Sequence, residues 1–102
     1  MSFERRSHPR YALTLPVIVF HEGIPVDIGW TQDVSEGGMR IAEVALDLER
    51  NTRVTLWIDS RHRGVRCHVP AIVRHTFDEG VGVWFVEPDR THLNGLRAVL
   101  PD

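Results

Sequence analysis

The sequence predicts an all-β domain that ends in a short α-helix, and two periodicities in the chain predict it. From residue 11 to residue 87, apolar residues recur at every second position, which is typical of strands with one buried face. After residue 89 the spacing lengthens, and Leu93, Leu96 and Leu100 recur as they would on one face of a helix. Because 102 residues suffice for one hydrophobic core and not for two, we expect a single domain.

Six runs of the chain show the strand alternation, and turn residues separate them. We expect turns at residues 21–23 and 77–80, the second with Gly80 in a left-handed conformation, and a connection or short helical turn over residues 45–51. Pro70 predicts an edge or a bulge in the fifth run, because proline cannot donate to a strand ladder. The fifth and sixth runs are expected to form a hairpin. The expected inward positions are Leu13, Leu15, Val17 and Val19; Val26, Ile28, Trp30 and Val34; Met39 and Ile41; Val54, Leu56 and Ile58; Val65, Cys67, Val69, Ala71 and Val73; and Val81, Val83 and Phe85.

The two ends of the chain differ from this strand region. The C-terminal helix is expected to begin at Asp89 or Thr91, whose side chains can cap it. Gly95 weakens so short a helix, so it needs tertiary packing, which the open end of a barrel would provide. Residues 1–10 carry charges and no apolar stretch. We therefore expect a mobile arginine-bearing segment over residues 1–10 and a folded domain over residues 11–102.

Charge and composition narrow the classes of function. The formal net charge is -2, so no overall positive field attracts nucleic acid, and any anion site must be local. All twelve basic residues are arginine, whose guanidinium matches phosphates and guanine edges better than an ammonium group does. No stretch approaches the ~18 apolar residues of a membrane span, and the histidines lack the spacing of a metal site.

Cys67 is the single cysteine, so the chain cannot form an intramolecular disulfide. The lack of such a disulfide is compatible with a location in the reducing cytoplasm. Cys67 is expected to point inward as an inert residue. No phosphate loop, nucleophile motif or acid–base pair stands out, so the sequence predicts a binding protein and not an enzyme.

Arg6 and Arg10 form the first candidate binding motif. Pro9 disfavours helical geometry at His8, so the segment is extended or turned, and in an extended chain the two arginines point the same way about 13 Å apart. Each can donate two parallel hydrogen bonds to a phosphate or to O6 and N7 of a guanine. Taken alone, the pair is a weak signal, and a solvated tail is the interpretation that it favours.

The second candidate motif begins where the second strand runs into a turn. Val34 continues the inward set, so Asp33 and Ser35 are expected to point outward on one face. A carboxylate can accept from N1–H and N2–H of guanine, a hydroxyl can donate or accept, and Gly37 and Gly38 let the backbone approach a ligand. A serine turn closed by glycine, without any ligand, is the alternative.

Together the R-x-x-x-R and D-x-S-x-x-G motifs, about two strands apart, strongly resemble the PilZ domain family. The matching residues are Arg6, Arg10, Asp33, Ser35 and Gly38, and residues 80–85, GVGVWF, resemble the closing strands of that family. The resemblance extends over nearly the whole chain.

This resemblance implies a six-stranded antiparallel β-barrel with a C-terminal helix that binds the bacterial second messenger cyclic di-GMP. It implies that Arg6 and Arg10 clamp bases and phosphates, that Asp33 and Ser35 read a guanine edge, and that Gly38 permits close approach. Residues outside these roles that are weaker candidates for ligand contacts are Arg5, Gly37, Arg40, Arg74 and Trp84. Ordering of the N-terminal segment by the ligand would change the surface shown to an unidentified protein partner.

Two other functions are also compatible with the sequence. The first is a small β-barrel that binds single-stranded nucleic acid through Trp30, Trp57 and Trp84, although the acidic balance and the inward position expected for Trp30 oppose it. The second is a PilZ-like module that binds a protein without any ligand. A ligand-linked dimer is compatible with all of these sequence features.

Overall fold

The structure is a computed structural model that describes residues 11–35, 37–44, 48–60 and 65–86. For Ser60, Val65 and Arg66, the description covers the backbone alone. The arginine-bearing segment over residues 1–10 and the helix predicted after residue 89 lie outside the described residues. Both stay predictions.

The described residues form seven strands, and all of their pairings are antiparallel. The strands are β1 (Tyr11–Ala12), β2 (Pro16–His21), β3 (Ile24–Val34), β4 (Gly38–Ala42), β5 (Arg53–Ser60), β6 (Val65–Phe77) and β7 (Gly80–Phe85). The sheet order is β1-β3-β2-β5-β6-β7-β4, and β4 also pairs with β3. This last pairing closes β2 to β7 into a ring, which confirms the six-stranded antiparallel barrel, and β1 is a short addition to β3.

The core fills the ring with the apolar residues that alternation places inward. In β6, Cys67, Val69, Ala71 and Val73 are all buried, as predicted. Burial raises the pKa of the Cys67 thiol, which suits an unreactive core position. The other buried members of the core are Val17, Val19, Val34, Met39, Ile41, Val44, Leu48, Val54, Leu56, Ile58, Val81 and Val83. The hydrophobic core therefore follows the alternation on five of the six barrel strands.

The exception is β3, where the inward positions predicted for Ile28 and Trp30 are wrong. Ile28 is 62% exposed and Trp30 is 43% exposed, whereas Thr31 is buried. The reason is two irregularities in the pairing of β3, each of which reverses the alternation: one with β2 that skips Val26, and one with β4 between Thr31 and Asp33, a β-bulge that inserts Gln32. The Thr31 hydroxyl is satisfied in the core because it accepts from the N–H of Leu15 and donates to the carbonyl of Leu13.

The two predicted hairpin turns exist, but one glycine is needed for a different reason than expected. Glu22 and Gly23 connect β2 to β3 with φ values of 52° and 79°, the left-handed geometry that short hairpin turns favour. Asp78 and Glu79 connect β6 to β7, and Gly80 is not left-handed. A Cβ atom on Gly80 would lie 2.2 Å from the carbonyl oxygen of Ile41, so glycine is required there by the close approach of β4.

Pro70 causes no break in β6, which runs unbroken from Val65 to Phe77. Its carbonyl accepts from the N–H of Val86, 2.9 Å away, on the side of β7. Because the N and C=O of one strand residue point to the same side, the N–H that proline lacks would also face that side, and the ladder with β5 stays complete. The last residue of β6 that is paired with β7 is Ala71, so Pro70 lies just beyond the end of β7, at an edge of the sheet.

None of the described residues belongs to a helix able to cross a membrane.

Candidate functional site

The connection between β3 and β4 is held by Ser35, and the outward position predicted for this side chain is wrong. Ser35 is only 3% exposed, and its N–H donates to the carbonyl of Gly38 at 2.9 Å. Its hydroxyl accepts from the N–H groups of Gly37 at 3.2 Å and Gly38 at 3.3 Å. Alternation does not apply to Ser35 because β3 ends at Val34 and the chain turns. As described, Ser35 shapes the loop.

Asp33 and Arg40 face each other across β3 and β4 as cross-strand partners. Asp33 is half-buried and Arg40 is exposed, so both fit the outward positions predicted from the sequence. The Arg40 guanidinium lies 3.8 Å from the centre of the Phe77 ring. This cation–π contact orients the guanidinium over the outer face.

Gly38 is the cross-strand partner of Trp84, which joins the second motif to β7. Trp84 is 43% exposed, as predicted for an outward residue, and the Arg74 guanidinium lies 4.7 Å from its ring centre. Arg74 also donates from Nη1 to Oδ1 of Asn51 at 3.0 Å. An aromatic face and a guanidinium thus stand beside the glycine of the motif.

A Cβ atom on Gly38 would lie 2.2 Å from the carbonyl oxygen of Val83. This glycine therefore permits the close approach of β7 to β4. The sequence predicted a close approach at Gly38, but by a ligand, and the structure identifies a strand as the neighbour. The approach of a ligand at Gly38 stays a prediction.

β1 brings the start of the described chain to the second motif. Tyr11 is the cross-strand partner of Val34, and Ala12 is the partner of Asp33. Arg10 directly precedes Tyr11 in the sequence. Arg5, Arg6 and Arg10 lie outside the described residues, so their contacts stay predictions, but the strand that follows them is paired with the D-x-S-x-x-G motif.

Sequence reasoning missed Phe77 as part of this surface. The sequence pattern predicts that Phe77 begins a turn, outside any strand. In the structure β6 extends to Phe77, and the side chain is 42% exposed. The shift in register between Val73 and His75 separates it from the regular part of β6. An aromatic residue at a turn is the one signal that could have pointed to it.

The third tryptophan lies elsewhere on the barrel. Trp57 on β5 is stacked between Phe20, with ring centres 4.5 Å apart, and His68, at 4.0 Å. Two strands separate β5 from β4 in either direction around the ring. In the part of the chain that the structure describes, no three His, Cys, Asp or Glu side chains come together as a metal site would require.

Comparison with known proteins agrees with this architecture. The family model of the PilZ domain matches residues 4–100. A crystal structure of the PilZ domain of CeSA from a cellulose-synthesizing bacterium is similar, with a TM-score of 0.70 and 23% identity, covering 89% of this chain and 94% of that one. A search of curated proteins found no match.

The Bacillus subtilis inhibitor of motility, MotI/DgrA, is also similar, with a TM-score of 0.74 and 19% identity over 90% of this chain. This chain spans only 47% of that protein. At these identities the two likenesses establish the barrel fold and no shared ligand. The family match covers nearly the whole sequence, and on that ground the chain belongs to the PilZ domain family, a family of binding modules.

Proposed function

We propose that this chain is a receptor for cyclic di-GMP, which it binds on the outer face of β3, β4 and β7. PilZ domains commonly bind this nucleotide, and all five motif residues are present in the sequence. The observation that carries the proposal is the pairing of Tyr11 and Ala12 with Val34 and Asp33. Through this pairing, the segment with Arg6 and Arg10 joins the barrel at the D-x-S-x-x-G motif.

Each charged group in this surface has a complementary group on a guanine nucleotide. The Asp33 carboxylate can accept from N1–H and N2–H of a guanine. Arg40 and Arg74 can donate to phosphate oxygens, and Arg6 and Arg10 can donate to phosphates or to O6 and N7 of a base. Trp84 offers a flat face for stacking. Arg5 is a further phosphate donor in the same segment.

Ser35 has a supporting role in this proposal. Since its hydroxyl already accepts from two backbone N–H groups, it holds Gly37 and Gly38 in a fixed loop beside Asp33. Such a loop keeps the carboxylate in position before the ligand arrives, which reduces the entropy lost on binding.

The signal is carried by the N-terminal segment. The phosphates of the nucleotide supply the negative charge that its arginines require, so the ligand selects an ordered form of the segment over others. An ordered segment presents a different surface to a protein partner. Ordering a segment costs roughly 2–5 kcal/mol of interaction energy, so the affinity depends steeply on each arginine. The proposal assigns no catalysed reaction, and we place the protein in the cytoplasm, where a second messenger acts.

Isothermal titration calorimetry with cyclic di-GMP tests the proposal. We expect saturable binding by the wild type and at least a tenfold loss of affinity in Arg10→Ala and in Asp33→Ala, since each removes charge-assisted hydrogen bonds. Arg63→Ala, which removes an arginine between β5 and β6, is the matched control and should bind as the wild type does. Undiminished binding by both site variants would disprove the assignment.

The same titration separates the other candidate functions. A chain that gives no heat with cyclic di-GMP but is retained by a protein partner is a ligand-independent module. Binding to single-stranded nucleic acid is disfavoured by the formal net charge of -2, which gives no overall positive field to attract a polyanion. Oligonucleotide binding that falls steeply with salt concentration would nevertheless support a nucleic-acid-binding function. Light scattering with and without the nucleotide determines whether a dimer forms.

A further inference from the structure

A shallow groove lies on the outer face of β3 and β4, beside Asp33. The β1–β2 connection, the second half of β3, the end of β4 and the residue that follows β4 all contribute to it. Its lining residues are Thr14, Trp30, Thr31, Gln32, Ala42 and Glu43. Trp30 supplies the aromatic surface and is 43% exposed. The named residues of the D-x-S-x-x-G motif, Asp33, Ser35 and Gly38, do not line this groove.

The β-bulge at Gln32 brings Trp30 and Asp33 onto the same face. In a regular strand, residues three positions apart point to opposite faces. Here Trp30 is paired with Ala42 and Asp33 with Arg40, two positions apart on β4. Two residues of a strand span about 7 Å. The inserted residue thus places an indole and a carboxylate side by side on the outer surface, as bulges near binding sites often do.

The rim of the groove carries the polar groups that a guanine base requires. The Glu43 carboxylate can accept from N1–H and N2–H of guanine, and the Gln32 amide can donate to a base oxygen or nitrogen. Adenine has an acceptor at N1 and no amino group at C2, so it does not match a carboxylate at this edge. The exposed indole of Trp30 provides a stacking platform for either base.

Glu43 is held in place by the barrel. Its φ is 63°, and its N–H donates to the carbonyl of Glu79 at 2.6 Å, which ties the end of β4 to the turn between β6 and β7. Below it, Thr31 is fixed by hydrogen bonds to Leu13 and Leu15. The base of the groove therefore exists before any ligand binds.

We propose that this groove is a second base subsite, which takes the other guanine of cyclic di-GMP. The inference rests on the proposed function, because it assumes that Asp33 holds the first guanine. A cyclic dinucleotide carries both bases on one ring, so a ligand held at Asp33 keeps its second base close to the same face. Trp30 stacks on that base and Glu43 accepts from its N1–H and N2–H groups.

The stacking contact is tested by calorimetry with cyclic di-GMP on Trp30→Ala and Trp30→Phe. Base stacking on an aromatic side chain contributes roughly 5- to 150-fold in affinity, so the alanine variant should bind at least about fivefold more weakly and the phenylalanine variant should keep part of the affinity. Trp57→Ala is the matched control, since Trp57 is 40% exposed and lies on β5 away from the groove. Circular dichroism establishes that all three variants are folded.

The base contact is tested by comparing cyclic di-GMP with 3′,3′-cyclic GMP–AMP, in which one guanine is replaced by adenine. We expect the wild type to prefer cyclic di-GMP, and Glu43→Gln to reduce that preference at least fivefold. If Glu43 only adds negative charge near the phosphates, Glu43→Gln will instead tighten both ligands equally, which overturns its role as a base-reading group.

The two proposals fail in different ways. If the wild type does not bind cyclic di-GMP at all, the proposed function is wrong. If the wild type binds and Arg10→Ala weakens it, but Trp30→Ala binds as tightly as the wild type, only the second subsite is wrong.

Discussion

The β5–β6 hairpin and the β3–β4 pair of the same barrel differ in the regularity of their strand pairing. The first pairs eight consecutive residues in unbroken register, from Arg53 with Ile72 to Ser60 with Val65. The second contains a bulge and ends in a tight loop. The regular pair contributes an alternating buried face. The irregular pair turns Trp30 outward, buries Ser35 and carries the proposed binding surface, in agreement with the general finding that local rules are broken at functional sites.

The largest difference between the two regions should appear when one apolar side chain is truncated in each. Leu56 in β5 is fully buried, so Leu56→Ala should lower the free energy of unfolding by about 2–5 kcal/mol. Ile28 in β3 is mostly exposed, and Ile28→Ala should cost no more than about 0.5 kcal/mol. Urea denaturation of both variants measures this. A loss above ~2 kcal/mol in Ile28→Ala would mean that β3 follows the regular alternation after all.

A smaller effect is expected where β4 and β7 approach closely beside the loop. Gly38→Ala places a Cβ against the Val83 carbonyl and should cost about 1–3 kcal/mol, because neither backbone can move freely. Gly82→Ala is the matched control on β7, since its Cβ would meet only side-chain atoms at 3.5–3.6 Å. Its thermal unfolding should resemble that of the wild type. Equal losses in the two variants would show that backbone contact is not what selects Gly38.

The loop itself is tested by Ser35→Ala. This change removes the acceptor for two N–H groups, one of them buried, and should lower the free energy of unfolding by about 1–2 kcal/mol. Thr76→Ala removes an exposed hydroxyl from β6 and should have little effect in the same denaturant titration. A Ser35→Ala protein as stable as the wild type would contradict the structural role of this hydroxyl.

The smallest effect belongs to the regular region and appears only at high pH. Burial raises the pKa of Cys67 in the folded state, so the folded protein resists loss of the thiol proton. The corresponding stability is complete below the ordinary thiol pKa of 9.0 and is lost as the pH rises above it. The stability difference between the wild type and Cys67→Ala should therefore narrow between pH 8 and pH 10. A difference that stays constant would indicate that the thiol ionises freely.

The contrast between the regions also explains which features could be predicted from the sequence. Alternation predicted the six barrel strands and the inward face of β6 because burial is the only requirement there. It also predicted correctly that Arg40, Arg74 and Trp84 point outward. The PilZ resemblance supplied the ring closure, which no local pattern contains.

The errors have non-local causes. The bulge at Gln32 depends on the pairing with β4 and changes no apolar residue in the pattern, so Trp30 was placed on the wrong face. Alternation predicts an outward Ser35 only if β3 continues through it. The strand ends at Val34 instead, because the N–H of Ser35 donates to the carbonyl of Gly38, and the sequence does not show this hydrogen bond. The reason for Gly80 is a contact with Ile41, a residue 39 positions earlier in the chain, which no short sequence window includes.

The short strand β1 has a consequence for binding kinetics. Tyr11 is paired with Val34 beside the motif, so in the proposed mechanism the arginines that precede Tyr11 in the sequence would meet a bound nucleotide at an effective concentration rather than at the bulk one. For short tethers that concentration is in the millimolar range. If the proposed function is correct, the nucleotide has to find only the barrel face from solution, and the arginines then bind it in a first-order step whose rate does not depend on protein concentration.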